Sequence, residues 1–172
     1  MRALMISGDR SGSGKTSISL AIAALLSQKM TVQTFKVGMD YIDPSYLTGV
    51  TGRPCRNLDT FVMARTDLAR IFAHGMEGSD VGLVEGVRGL YEGAESLGDE
   101  GSSAAVAKLL NIPVVLVVSA RSITRSAAAI VKGFQSFDPA IDIRGIILNN
   151  VSGPQHVRKA TEAIEHHCGV PV

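Results

Sequence analysis

The sequence has 172 residues, 45% hydrophobic and 19% charged, which fits a single core and excludes a disordered chain. Lysine plus arginine (17) almost balance aspartate plus glutamate (16), so the charge gives no reason to expect nucleic acid or a membrane surface as partner. The longest apolar runs, Leu20–Leu26 and Ile112–Val118, are too short to span a bilayer, and no basic-then-apolar leader is seen; two distant cysteines exclude a disulfide scaffold and fit a cytoplasmic location.

Arg2–Ser7 is a short apolar run, followed by a glycine-rich turn over Gly8–Gly14. Lys15–Met30 carries Ile18, Ile22, Leu25 and Leu26 at helical spacing, and Thr31–Val37 reads as a strand. A long polar stretch punctuated by Gly38, Pro44, Gly49, Gly52 and Pro54 runs to about Asn57. Then come a helix over Thr66–His74, a buried strand over Val81–Glu85, a glycine-bearing loop over Gly86–Gly101 and a helix over Ser102–Leu110. Val114–Ser119 is the clearest strand; Ile123–Phe137 reads as helix, Arg144–Asn149 as strand and Gln155–His167 as helix. Continuous apolar strands alternating with helices predict an α/β fold, a parallel sheet with helices on both faces. Gly169–Val172 resembles the entry to a further strand, so the expectation is one domain over 1–172 that is a fragment of a longer chain.

The most specific signal is Gly8-Asp9-Arg10-Ser11-Gly12-Ser13-Gly14-Lys15-Thr16, set between a strand and a helix. Glycines there let consecutive backbone N–H groups turn around phosphate oxygens, and the helix N-terminus adds its positive dipole end. Lys15 would reach the β- and γ-phosphates, and the Thr16 hydroxyl would take a Mg²⁺ position. Gly12, Ser13, Gly14, Lys15, Thr16 and Ser17 are the candidate nucleotide contacts in a P-loop NTPase-like sheet. The spacing departs from the usual pattern, because Gly8 lies one residue early and Asp9 stands at the expected glycine.

Two further segments would reach the same sheet edge. Val81–Glu85 is an apolar strand ending in a carboxylate, so Glu85 is a candidate metal partner, the alternative being a solvated strand end. Lys36-Val37-Gly38-Met39-Asp40-Tyr41-Ile42-Asp43-Pro44 sets a cation and two carboxylates after the second strand. Lys36 would neutralise an anion undergoing phosphorylation and Asp40 or Asp43 would hold metal; the alternative is a turn built from Asp, Gly and Pro. His166 and His167 are adjacent on a helix and point about 100° apart, which reads as a solvated pair, not a metal site.

Taken in order, Gly8–Thr16, Lys36–Pro44, Thr51–Asp59, Val84–Gly93, Ala120-Arg121-Ser122 and Ile146–Asn150 resemble the amidoligase domain of the cobyrinate a,c-diamide synthase family, a relative of dethiobiotin synthetase. The resemblance covers essentially the whole chain. It implies a carbon–nitrogen ligase that uses ATP and Mg²⁺ to activate tetrapyrrole acetates as acyl phosphates, which ammonia displaces. It implies a glutaminase domain, C-terminal to this one, as the ammonia source, and neither Cys55 nor Cys168 stands in a nucleophile-elbow context. Two substrates fit the family: the corrin precursor cobyrinate of cobalamin synthesis, and Ni-sirohydrochlorin of the coenzyme F430 pathway. Asp9-Arg10-Ser11, Met39, Arg88 and Glu92 lean to the nickel branch.

Carried over by the resemblance, Lys15, Lys36, Asp40 and Glu92 form the catalytic set, Thr16, Asp43 and Glu85 the metal set, and Tyr41, Arg53 and Arg88 the substrate contacts. Asn149 would contact the nucleotide base. Glu92 stands where the family often has aspartate, one methylene shorter. Relatives of this fold often pair, which makes a homodimer one expectation. A partitioning-type ATPase switch and a stand-alone synthetase are the rival readings; the first is weakened by Arg10 and Ser11 and by the Asp-Tyr-Ile-Asp-Pro loop.

Overall fold

The computed structural model describes residues 2–172. Twelve elements follow in order: β1 Ala3–Gly8, α1 Lys15–Ser27, β2 Val32–Val37, α2 Ile42–Thr51, β3 Arg56–Leu58, α3 Arg65–Met76, β4 Val81–Glu85, α4 Ser103–Leu110, β5 Val114–Ser119, α5 Arg125–Phe137, β6 Ile143–Asn149 and α6 Pro154–Cys168. The strands form one sheet in the order β3-β2-β4-β1-β5-β6, and every pair is parallel. Parallel pairing demands a crossover between neighbours, and each crossover is a helix that covers one face of the sheet.

Alternation along the strands divides the core in two. Ile6, Val32, Leu83 and Val117 pack with Ala23 of α1 and Leu47 of α2 on one face. Met5, Phe35, Val37, Val84, Leu116 and Val118 face the opposite way, onto a larger cluster that includes residues of α3, α4, α5 and α6. Both faces are thus dry, which explains why the strands read as unbroken apolar runs. Among the described residues no helix is long and apolar enough to cross a membrane.

The polar stretch after β2 folds more than its composition suggests. Asp40 Oδ1 accepts the Ile42 N–H at 2.8 Å, which starts α2, and Gly52 in the left-handed region ends it. The three residues of β3 then pair with Phe35–Val37. Leu47 alone of the aliphatic residues in α2 is fully buried, and one such residue leaves no helical period to read. The first helix is shorter than the expected Lys15–Met30, stopping at Ser27 where the Lys29 and Met30 amides both bond to the Leu26 carbonyl. Near the other end of the chain, the Ile146 N–H donates to the Pro171 carbonyl, so the last residues run beside β6.

Arg53 sits at the foot of this crossover, away from the carboxyl edge of the sheet. Its Nε donates to Gln33 Oε1 at 2.9 Å, and its terminal nitrogen donates to the carbonyls of Glu77 (2.8 Å) and Gly75 (3.3 Å). Gln33 is buried within β2, and Arg53 is the donor to its amide oxygen. Replacing Arg53 by alanine leaves that oxygen unsatisfied and is expected to lower unfolding free energy by about 2–3 kcal/mol. Nucleotide affinity should stay within about twofold, because the site lies at the other end of the strands. Denaturant titration and nucleotide titration of Arg53→Ala together check this.

Candidate functional site

Three strand ends meet where the sheet opens to solvent. In the sheet register Lys36 of β2 lies beside Glu85 of β4, which in turn lies beside Ile6 of β1. Partners in a parallel sheet point to the same face, so both charged side chains end the apolar rows that α1 and α2 cover. Lys36 is 3% exposed and Glu85 is fully buried.

Their burial is tolerated because they are paired. Lys36 Nζ lies 2.8 Å from Glu85 Oε1 and 2.7 Å from Asp43 Oδ2, and donates to the Gly86 carbonyl at 3.2 Å. The Thr16 hydroxyl, in the first turn of α1, donates to Glu85 Oε1 at 2.7 Å and lies 3.2 Å from Asp43 Oδ2. Four residues from the ends of four elements thus converge on two oxygen atoms. Burial alone would lower the Lys36 pKa, but the charge of Glu85 and the hydrogen bonds to Asp43 and Glu85 leave it raised, so the side chain stays an ammonium. Burial pushes Glu85 upward against the pull of Lys36 and Thr16. Asp43 is pushed up by its burial but held below the usual carboxylate range by the Lys36 hydrogen bond and charge.

The second oxygen of Glu85, Oε2, is buried without a hydrogen-bond partner. An orphaned carboxylate oxygen, a neighbouring carboxylate and a hydroxyl form a hard oxygen donor set, and Thr16, Asp43 and Glu85 therefore fit Mg²⁺.

The phosphate loop is shaped by close contacts. Gly12 and Gly14 are in positive-φ conformations, at 75° and 97°. Asn149, at the end of β6, donates from Nδ2 to the Ser13 carbonyl at 2.8 Å and lies so close to Gly14 that a Cβ there would collide with it. Lys15 is buried, its Nζ 3.4 Å from the Arg10 carbonyl; burial and the nearby Lys36 lower its pKa. Ser17 is exposed in the first turn of α1. Asp9, which replaces the expected glycine, keeps a fully buried side chain and holds Arg10 at 2.8–2.9 Å.

The remaining sequence candidates divide into near and far. Asp40 braces the start of α2 through its carboxylate, as described above. Tyr41 stands 82% exposed beside the metal loop, and Arg88 is exposed in a left-handed conformation just beyond β4. Glu92 accepts the Gly89 N–H at 2.6 Å, and its charge is felt by Lys15. Asn149 touches the phosphate loop itself. Arg53 is not brought into this group. Burial pushes the Cys55 thiol up to about 11, which keeps it protonated.

One residue gains a role that its sequence context did not assign. Asn57 lies opposite Lys36 in the β2–β3 register and donates from Nδ2 to the carbonyls of Gly38 (2.8 Å) and Asp40 (2.7 Å). It braces the backbone that carries Asp40 and Asp43. An asparagine in the middle of a three-residue strand gives no signal of this in one sequence, because the partners are backbone atoms.

With this geometry in view, comparison with known proteins is decisive on family. Residues 4–172 match the family model described as the CobQ/CobB/MinD/ParA nucleotide binding domain. The chain belongs to this family. As a CobQ/CobB/MinD/ParA domain it is 56% identical over 173 residues to a protein of Methanosarcina acetivorans named cobyrinate a,c-diamide synthase, with 98% of this chain and 35% of that protein aligned. A Methanococcus maripaludis protein of the same name is 47% identical over 167 residues, covering 97% of this chain and 37% of its own length. The chain therefore spans about a third of the length of these curated relatives. Among solved structures, chloroplast FtsY from Physcomitrella patens superposes with a TM-score of 0.65 at 20% identity, covering 99% of this chain and 57% of that one. The hydrogenase maturation factor HypB from Archaeoglobus fulgidus gives 0.60 at 17% identity, covering 99% and 78%. These likenesses show the P-loop NTPase-like fold.

Two substitutions test the local geometry. Gly14→Ala combines a strained φ with a clash against Asn149 and is expected to weaken nucleotide binding at least about tenfold, read by calorimetric titration. Asn57→Ala removes two backbone braces and should speed hydrogen exchange of the amides over residues 38–43 by about tenfold, with the amides of β5 unchanged.

Proposed function

We propose that this domain uses ATP to activate the peripheral acetate carboxylates of a tetrapyrrole for amidation, a reading supported by the relatives' name, cobyrinate a,c-diamide synthase. The observation that carries the reading is the cluster of buried Lys36 and Glu85 with half-buried Asp43 and Thr16 beside the phosphate loop. Nucleotide binding alone would need the loop; a second buried lysine, held between carboxylates at its mouth, suits an acceptor that is itself an anion.

Donor and acceptor are both negatively charged, so the barrier to be lowered is repulsion and misalignment, not proton removal. A carboxylate is ionised at neutral pH and requires no general base. Its oxygen attacks the γ-phosphorus, the bond to the ADP oxygen breaks, and an acyl phosphate forms. Ammonia then attacks the acyl carbon, phosphate leaves with the bonding pair, and the nitrogen loses a proton. Lys15 holds the β- and γ-phosphates, the backbone N–H groups around Gly12–Gly14 cradle them, and Lys36 offsets the acceptor charge. When bound by Thr16, Asp43 and Glu85, Mg²⁺ would supply charge neutralisation on the phosphate oxygens. Tyr41 and Arg88, exposed and close in sequence to Asp43 and Glu85, are candidates for the macrocycle face and its other carboxylates. Asp40 serves here by fixing α2, and Glu92 by its negative charge near Lys15.

A glutaminase domain beyond this one would deliver the ammonia. The relatives' names support cobyrinate as acceptor, while Arg10, Met39, Arg88 and Glu92 support Ni-sirohydrochlorin. Purified protein with ATP, Mg²⁺ and an ammonium salt, offered each macrocycle separately, distinguishes them by mass spectrometry. Two acid-to-amide conversions on one macrocycle are expected. Nucleotide-dependent dimerisation with no amide formed on either would overturn the reading in favour of a partitioning-type switch.

A further inference from the structure

The contacts of Lys36 are those a metal ion would make. Its ammonium touches Glu85 Oε1 and Asp43 Oδ2, the same two oxygens that the Thr16 hydroxyl reaches. Its third partner is a backbone carbonyl, Gly86 O, also an oxygen. The nitrogen is buried, so the charge has no solvent to fall back on and is neutralised by these contacts. A divalent cation seated by Thr16, Asp43 and Glu85 would need oxygens that already bind an ammonium. Two positive charges cannot share so small a buried space without strong repulsion.

We propose that Lys36 is a built-in cation that keeps divalent metal out of the Thr16–Asp43–Glu85 set until a nucleotide polyphosphate brings the metal with it. The inference rests on the reading of those three residues as the metal-holding set. Among the described residues no group of three or more His, Cys, Asp or Glu side chains gathers to hold a metal. The protein therefore offers two carboxylates and one hydroxyl, too few to displace a buried ammonium by themselves. Polyphosphate oxygens complete the shell and tip the exchange. The displaced ammonium then turns to the acceptor carboxylate, so charge reaches the acceptor only after the metal–nucleotide is seated. One lysine thereby sets the order in which the two substrates become competent.

The test is metal binding without turnover. Mn²⁺ is titrated into the protein and into Lys36→Met, with and without ADP, and free Mn²⁺ is read by electron paramagnetic resonance. Without nucleotide, Lys36→Met should bind one Mn²⁺ about tenfold or more tighter than the unaltered protein, although it has lost only a side chain that binds no metal. ADP should tighten Mn²⁺ binding by a larger factor in the unaltered protein than in the variant. Without nucleotide, Lys15→Met, which removes a nearby positive charge that does not touch those oxygens, should gain clearly less than Lys36→Met, about threefold at most. Equal affinity in Lys36→Met, or the same gain in Lys15→Met, would overturn the proposal, the latter by showing general charge and not position. Lys36→Gln is a second variant. A Lys36 variant that folds only in millimolar Mg²⁺ supports the exchange, and one that Mg²⁺ fails to rescue overturns it, because the metal then cannot replace the ammonium. No tetrapyrrole enters this experiment, so its outcome is independent of whether the amidation assay succeeds.

Discussion

The burial of one ammonium between two carboxylates organises this molecule. Lys36 and Glu85 end adjacent strands on the same face of the sheet, so their pairing follows from register alone. Asp43 and Thr16 are brought to them by the first turns of α2 and α1. A buried ion pair adds little net stability compared with apolar packing, but breaking it by removing one partner is costly. That asymmetry makes the cluster a poor scaffold and a good site, in which every group is held in place by the penalty for leaving it alone.

The apolar core supplies the rest. Rows of aliphatic residues on both faces give β1, β2, β4 and β5 little freedom to shift, because a one-residue slip would turn Lys36 and Glu85 away from α1 and α2 into the opposite core. The precision of the polar edge is therefore a property of the greasy rows behind it.

What was legible in the sequence was what repeats or what is locally encoded. The phosphate loop announced itself through glycines, lysine and threonine in fixed order, and β4 and β5 through unbroken apolar runs. The helix after β2 did not, since its outward face carries Ile42, Tyr46 and Val50 while Leu47 alone anchors it in the core. Lys36, Asp43 and Glu85 were each visible as candidates, but their convergence on shared oxygens depends on strand order, which a single sequence does not spell out. Arg53 shows the opposite case. An arginine in a glycine- and proline-rich loop looks like an anion contact, whereas here the chain folds back and gives it a buried glutamine and two carbonyls to hold.

The contact between Asn149 and the Ser13 carbonyl joins positions 136 residues apart. The phosphate loop follows the first strand of the sheet, yet the bond that clasps it comes from the end of the sixth. Long-range pairing of this kind forms late, after most of the chain has collapsed. A nascent or partly folded chain thus carries the loop's sequence without its clasp, and competence to hold nucleotide arrives only with near-completion of the sheet. Ligand binding in this domain doubles as an inspection of whether β1 and β6 have both reached their places.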